Sequence, residues 1–153
     1  MKIPVLLLSC LVVTNLHAAS WAPSADLLRD VRRVESANGR FTVGDQGRSL
    51  GDYQISEAAW CDVTAWRRGR GLRTYDYAQH VWSESISRAY AADYLKILHG
   101  QLEKRLGRSP STHEVYAAYN MGLSCFAKTG YRVTSSKLSD PCKDLPLQTA
   151  LLK

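Results

Sequence analysis

The sequence has no apolar run long enough to cross a bilayer. Its longest, at positions 3–13, falls short of the roughly 20 residues a helix needs to span about 30 Å of hydrocarbon, so stable membrane insertion is not expected. There is no internal repeat and no linker dividing two domains, which excludes a solenoid and a two-domain organisation. Cysteine is sparse, 4 in 153 residues with no CxxC pair, and the 4 histidines are isolated. A zinc site is therefore not indicated, no cofactor motif is present, and neither metal nor cofactor is expected. Long blocks of one charge are also missing. The 20 Lys and Arg against 14 Asp and Glu leave +6, yet the basic residues are scattered (Arg67-Arg68, Arg70, Arg73, Lys104-Arg105) and no nucleic-acid module motif appears. That argues against a nucleic-acid partner and leaves an anionic surface or an ordinary solvated face.

The first stretch has the order of a secretory signal peptide: Lys2, the apolar run, then small residues at Ala18, Ala19 and Ser20. Residues 1–20 are read as that leader, with Ala22 as the other cleavage position, and the protein is expected to be secreted or periplasmic and a monomer. Cys61, Cys125 and Cys142 remain after processing, an odd number in a compartment where disulfides form. A Cys125–Cys142 bridge would staple the tail to the domain, and a Cys61–Cys125 bridge would tie two core segments together; both stay open.

Positions 24–36 place Leu27, Leu28, Val31 and Val34 at helical spacing behind a Ser24 cap. Asn38-Gly39 stops that helix, and Gly44, Gly47 and Gly51 predict turns and short irregular or β segments, not a helix. Ser56 caps a second helix through Trp60 and Val63 toward Arg67, followed by a loop at Gly69 and Gly71. Positions 76–106 read as two helices broken near 83–87, with Ile86, Tyr90, Tyr94, Leu95 and Leu98 as a buried stripe. Ser111-Thr112-His113-Glu114 is a capping box opening the last core helix, through Val115, Tyr116 and Tyr119 to Gly122. Beyond Lys128 the chain turns polar. The fold class is mainly α (α+β), with a small Gly-rich β or loop element near the front; the folded domain is expected at 21–127 and a polar C-terminal extension at 128–153.

Glu35 falls at the end of the first helix, where the negative end of the helix dipole and partial burial beside Val31 and Val34 both favour its protonated form. A carboxylic acid protonated near neutral pH is what cleavage of a glycosidic bond needs, because the leaving oxygen must receive a proton. Glu35-Ser36 is followed by a Gly-rich loop, then Gly51-Asp52-Tyr53-Gln54-Ile55, and Ala118-Tyr119-Asn120-Met121-Gly122 closes the last core helix. In that order the blocks resemble the lysozyme superfamily: Glu-Ser, Gly-x-x-Gln-Ile and Ala-Tyr-Asn-x-Gly, as in soluble lytic transglycosylases and their short secretion-system relatives. The segment from Gly44-Asp45-Gln46-Gly47 to Gln54-Ile55 is similar to invertebrate-type lysozymes, in which an aspartate at the Asp45 position is the second catalytic carboxylate. The chain lacks the many cysteines of those lysozymes, and Gly51-Asp52-Tyr53-Gln54 replaces the Gly-Leu-Met-Gln of the transglycosylases.

The resemblance covers about 27–125 and implies a lysozyme-like fold that cuts the β-1,4 bond between N-acetylmuramate and N-acetylglucosamine in peptidoglycan. Glu35 and Asp45 are its expected catalytic residues, and Ser36, Ser49, Asp52, Tyr53, Gln54, Tyr119 and Asn120 its expected substrate contacts. Gln54 and Asn120 both donate and accept, which suits acetamido and hydroxyl groups. Tyr53 and Tyr119 carry flat faces that suit stacking on sugars. Two mechanisms are open. A retaining hydrolase sets a second carboxylate, Asp45 or in its place Asp52, about 5–5.5 Å from the acid. A lytic transglycosylase uses Glu35 alone and leaves 1,6-anhydro-muramyl ends. Local similarity favours the first. A non-catalytic peptidoglycan-binding module is the reading from another class.

Overall fold

The computed structural model describes residues 21–133, and the expected leader and Cys142 lie outside them. The chain is mainly helical with one small antiparallel sheet: α1 (Ala25–Ser36), β1 (Val43–Gly44), β2 (Ser49–Leu50), β3 (Ile55–Ser56), α2 (Glu57–Arg68), α3 (Tyr77–His80), α4 (Glu84–Leu106), α5 (Thr112–Met121) and α6 (Leu123–Lys128). Among the described residues no helix is long and apolar enough to cross a membrane.

Local chemistry sets the helix starts. The hydroxyls of Ser24, Ser56 and Ser111 accept from the backbone N–H of Leu27, Ala59 and Glu114, each satisfying one orphan donor of a first turn. At α5 the capping box is complete, with Glu114 reaching back to the Ser111 N–H at 2.8 Å. The break expected near 83–87 falls between α3 and α4, where Ser83 precedes the long helix. Past Gly122 the chain makes one further helix, α6, which the closing Asn-x-Gly pattern did not foretell.

Helix α4 is the spine, packing on α2, α5 and α1. Its Tyr90, Leu95, Leu98 and Leu102 are buried, while Ile86 and Tyr94 are half-buried against the same core. Trp60 of α2 stacks on Tyr90 at 3.7 Å between ring centroids and donates its indole N–H to the Tyr75 carbonyl at 2.9 Å. This aromatic pair is buried with its polar handle satisfied. The packing continues past 127: Tyr131 meets Phe126 edge-on at 5.5 Å, and Arg105 donates to its hydroxyl.

The sheet is a three-stranded meander in the order β1-β2-β3, with Val43 opposite Leu50 and Leu50 opposite Ile55. Its second turn is pressed against the end of α3. Gly51 has φ +73°, and a Cβ there would collide with the Val81 carbonyl, so only glycine fits. The sheet is tied to α1 by charge as well. Arg32 pairs with Asp52 at 2.8 Å, with Asp52 only 14% exposed, and reaches Glu84 of α4 at 3.3 Å. Cys61 carries a free, exposed thiol and Cys125 is disulfide-bonded, so the Cys61–Cys125 bridge is not formed.

Candidate active site

Glu35 lies in the last turn of α1, half-buried, with its carbonyl-end helix dipole behind it. Two side chains of α5 come to it from far along the chain. The Tyr116 hydroxyl donates to Glu35 Oε1 at 2.8 Å, and Asn120 Nδ2 donates to the same oxygen at 3.1 Å. Positions 116 and 120 are one helical turn apart and share a face. Burial, then the charge of Glu35, pushes the Tyr116 phenol well above its ordinary range. Its proton is therefore permanently available to the carboxyl group. Both donors are aimed at Oε1, which accepts from each and fixes the orientation of the carboxyl group.

Asn120 is also part of the wall of a cavity of about 280 Å³, together with Asp45, Ser49, Gln54, Tyr94 and Tyr119. This is how the structure connects the acid at the end of α1 with the glycine loop: one amide touches the Glu35 carboxyl and fronts the space that Asp45 faces. Asp45 sits at the first position of the β1–β2 turn, where Asp45, Gln46 and Gly47 all have positive φ, at 48°, 60° and 88°. Two successive non-glycine residues in the left-handed region are costly. The turn is held by the Ser49 hydroxyl donating to Asp45 Oδ2 at 3.2 Å and by Arg48 Nε donating to the Asp45 carbonyl at 3.1 Å.

The remaining expected contacts divide into two groups. Gln54 is in the cavity wall, in a left-handed conformation (φ 48°), and its Nε2 donates to the carbonyls of Gly51 at 2.8 Å and Phe41 at 3.3 Å. Its Oε1 lies over Gly44, where a Cβ would collide with it. Tyr119 borders the cavity, but its hydroxyl is tied to the Tyr53 carbonyl at 2.6 Å, and burial followed by the charge of Glu35 holds its phenol far above the ordinary range. Ser36, Asp52 and Tyr53, by contrast, are structural in their placement. Ser36 is 1% exposed and fastens the helix end, accepting from the Gly39 N–H at 2.8 Å and donating to the Arg32 carbonyl. Asp52 is held by Arg32 Nε at 2.8 Å. Tyr53, at 2% exposed, presents no face on which a sugar could stack.

Sequence reasoning passed over Tyr116, which its periodicity assigns to the core, and Tyr94, which its stripe does. The signal for Tyr116 was its spacing from Asn120. Tyr94 lines the cavity half-buried, with its ring 5.5 Å from that of Tyr119. Among the described residues no cluster of His, Cys, Asp and Glu is placed to hold a metal ion.

No family model, curated protein or solved structure matches the chain.

Proposed function

We propose that this protein is an exported, lysozyme-like muramidase that cuts the β-1,4 bond between N-acetylmuramate and N-acetylglucosamine in peptidoglycan, with Glu35 as general acid. The observation that carries the reading is the double donation to Glu35 Oε1 by Tyr116 and Asn120, side chains 81 and 85 residues away. A carboxylate on a solvated surface has no need of two fixed donors. A proton donor does, because its reactive oxygen must be aimed at the glycosidic oxygen and held there.

The cavity supports the substrate class. Asn120 and Gln54 put polar amides in its wall, Tyr94 gives a half-buried aromatic flank, and Arg48 sets an exposed guanidinium there, suited to the lactyl carboxylate of a muramyl sugar. In the forward step Glu35 gives its carboxyl proton to the leaving oxygen as the bond breaks. Asp45, steadied by the Ser49 hydroxyl, faces the developing positive charge at the anomeric carbon, and water completes hydrolysis.

The test is the mass of the fragments released from purified cell walls. Reducing-end muropeptides with loss of turbidity support the hydrolase. Anhydro-muramyl ends overturn the role of Asp45 and leave Glu35 as sole acid and base. Sedimentation with walls and no released fragment overturns the enzyme reading in favour of a binding module. Asp45→Asn is expected to lower the rate at least about 100-fold if the carboxylate stabilises the transition state.

A further inference from the structure

A second concavity, a groove of about 900 Å³ between the end of α2 and α4, shares no lining residue with the cavity of Asp45 and Asn120. Two half-buried indoles border it. Trp21 stacks on His99 with ring centroids 4.4 Å apart and planes at 12°, and the Arg70 guanidinium lies 3.9 Å over the Trp66 ring. Each ring is thus held by its own partner before any ligand arrives, so little rotamer freedom is left to lose on binding.

The charges in the wall are Arg70, Lys96 and Lys104 against Glu103. Lys96 is committed to Asp93 at 3.0 Å. Arg70 and Lys104 make no ion pair among the described residues, and both are exposed. Arg70 is held in place on Trp66, its Nη1 also donating to the Trp66 carbonyl at 3.2 Å, and has no carboxylate partner among the described residues. Aromatic surface held beside cations that lack a carboxylate suits a chain of sugar rings bearing spaced negative charge, with rings against aromatic surface and carboxylate against cation. A nucleic-acid strand brings a phosphate at every residue and calls for a longer basic track than these two cations supply.

We propose that this groove is a second binding site, for an anionic glycan strand, separate from the Glu35 site. The full chain is titrated, at low and at physiological salt, with hexasaccharides of alternating glucuronate and N-acetylglucosamine, with neutral chitin hexasaccharide, and with an oligothymidylate of similar length. Indole fluorescence and calorimetry report binding. The carboxylated glycan is expected to bind about tenfold more tightly than chitin at low salt. The double variant Arg70→Ala, Lys104→Ala is expected to lose that preference with its melting temperature unchanged, and Glu35→Gln to keep it. Equal binding of the two glycans, tighter binding of the oligothymidylate, a preference that survives in the double variant, or one lost in Glu35→Gln would each overturn the assignment. The readout is binding of defined glycans, so its outcome is distinguishable from that of wall cleavage.

Discussion

Replacing Tyr116 by Phe removes a single oxygen atom from the site. Tyr116 is 4% exposed, and its hydroxyl donates to Glu35 Oε1 at 2.8 Å. A donor to a carboxylate favours the charged form, so losing it raises the pKa of Glu35. A hydrogen bond to a charged group contributes about 1.5–3 kcal/mol, and one pKa unit corresponds to about 1.4 kcal/mol. The bond alone thus allows a rise of about one to two units, and the remaining Asn120 donor at 3.1 Å holds it near the lower figure. A general acid works in its protonated form. The alkaline limb of kcat/KM therefore moves upward by about one unit in Tyr116→Phe. The assay is the initial rate of turbidity loss of purified walls from about pH 4 to pH 9 at constant ionic strength, with thermal melting of both proteins as the control for folding. An unchanged or downward-shifted limb in a variant that melts like the wild type would refute the reasoning.

Three further outcomes concern the frame that holds the site. Arg32→Ala leaves Asp52, 14% exposed, without its partner and should destabilise the protein by about 2 kcal/mol in urea unfolding, with the charge-neutral double variant Arg32→Ala, Asp52→Asn recovering part of the loss. Gly51→Ala forces a Cβ onto the Val81 carbonyl at a positive φ and should cost at least about 2 kcal/mol, read as a lowered melting temperature. Glu114 is held down to about 2, first by the Arg108 side chain at 2.6 Å and then by the Ser111 backbone and hydroxyl. Because its folded pKa lies below the unfolded one, the stabilisation is present above the ordinary carboxylate range and is lost as pH falls toward 2. After allowance for the exposed Arg108 end the loss is about 2 kcal/mol, and Glu114→Gln should flatten that acid limb in urea titrations.

Short-range signals were the legible ones. Ser24, Ser56 and Ser111 as helix starts and the capping box to Glu114 each depend on a few neighbouring residues, and each stands where the pattern puts it; the helix break expected near 83–87 comes earlier, between His80 and Glu84. Gly44, Gly47 and Gly51 excluded a helix there but left β or irregular loop open, and the structure makes it a three-stranded sheet. What pattern could not supply was partnership across distance. Arg32 and Asp52 are 20 residues apart, and only the fold turns a loop carboxylate into the anchor of α1. Tyr53 shows the same limit from the other side: a tyrosine in a polar loop reads as a surface ring, yet the β2–β3 turn folds it under the sheet, where its carbonyl receives Tyr119. Tyr116 was hidden for a different reason. It is buried like its apolar neighbours, so periodicity treats it as core, and its contact with Glu35 is made by the one polar atom that periodicity ignores. The i, i+4 relation to Asn120 was the available clue.

The most direct test of the account is Glu35→Gln. The amide keeps the shape of the side chain and an oxygen to accept from Tyr116 and Asn120, but it has no acidic proton to give. Measured on purified cell walls, the variant should release soluble fragments at least about 100-fold more slowly than the wild type while melting within a few degrees of it. A folded Glu35→Gln protein that clears walls at the wild-type rate would contradict the assignment of Glu35 as the proton donor.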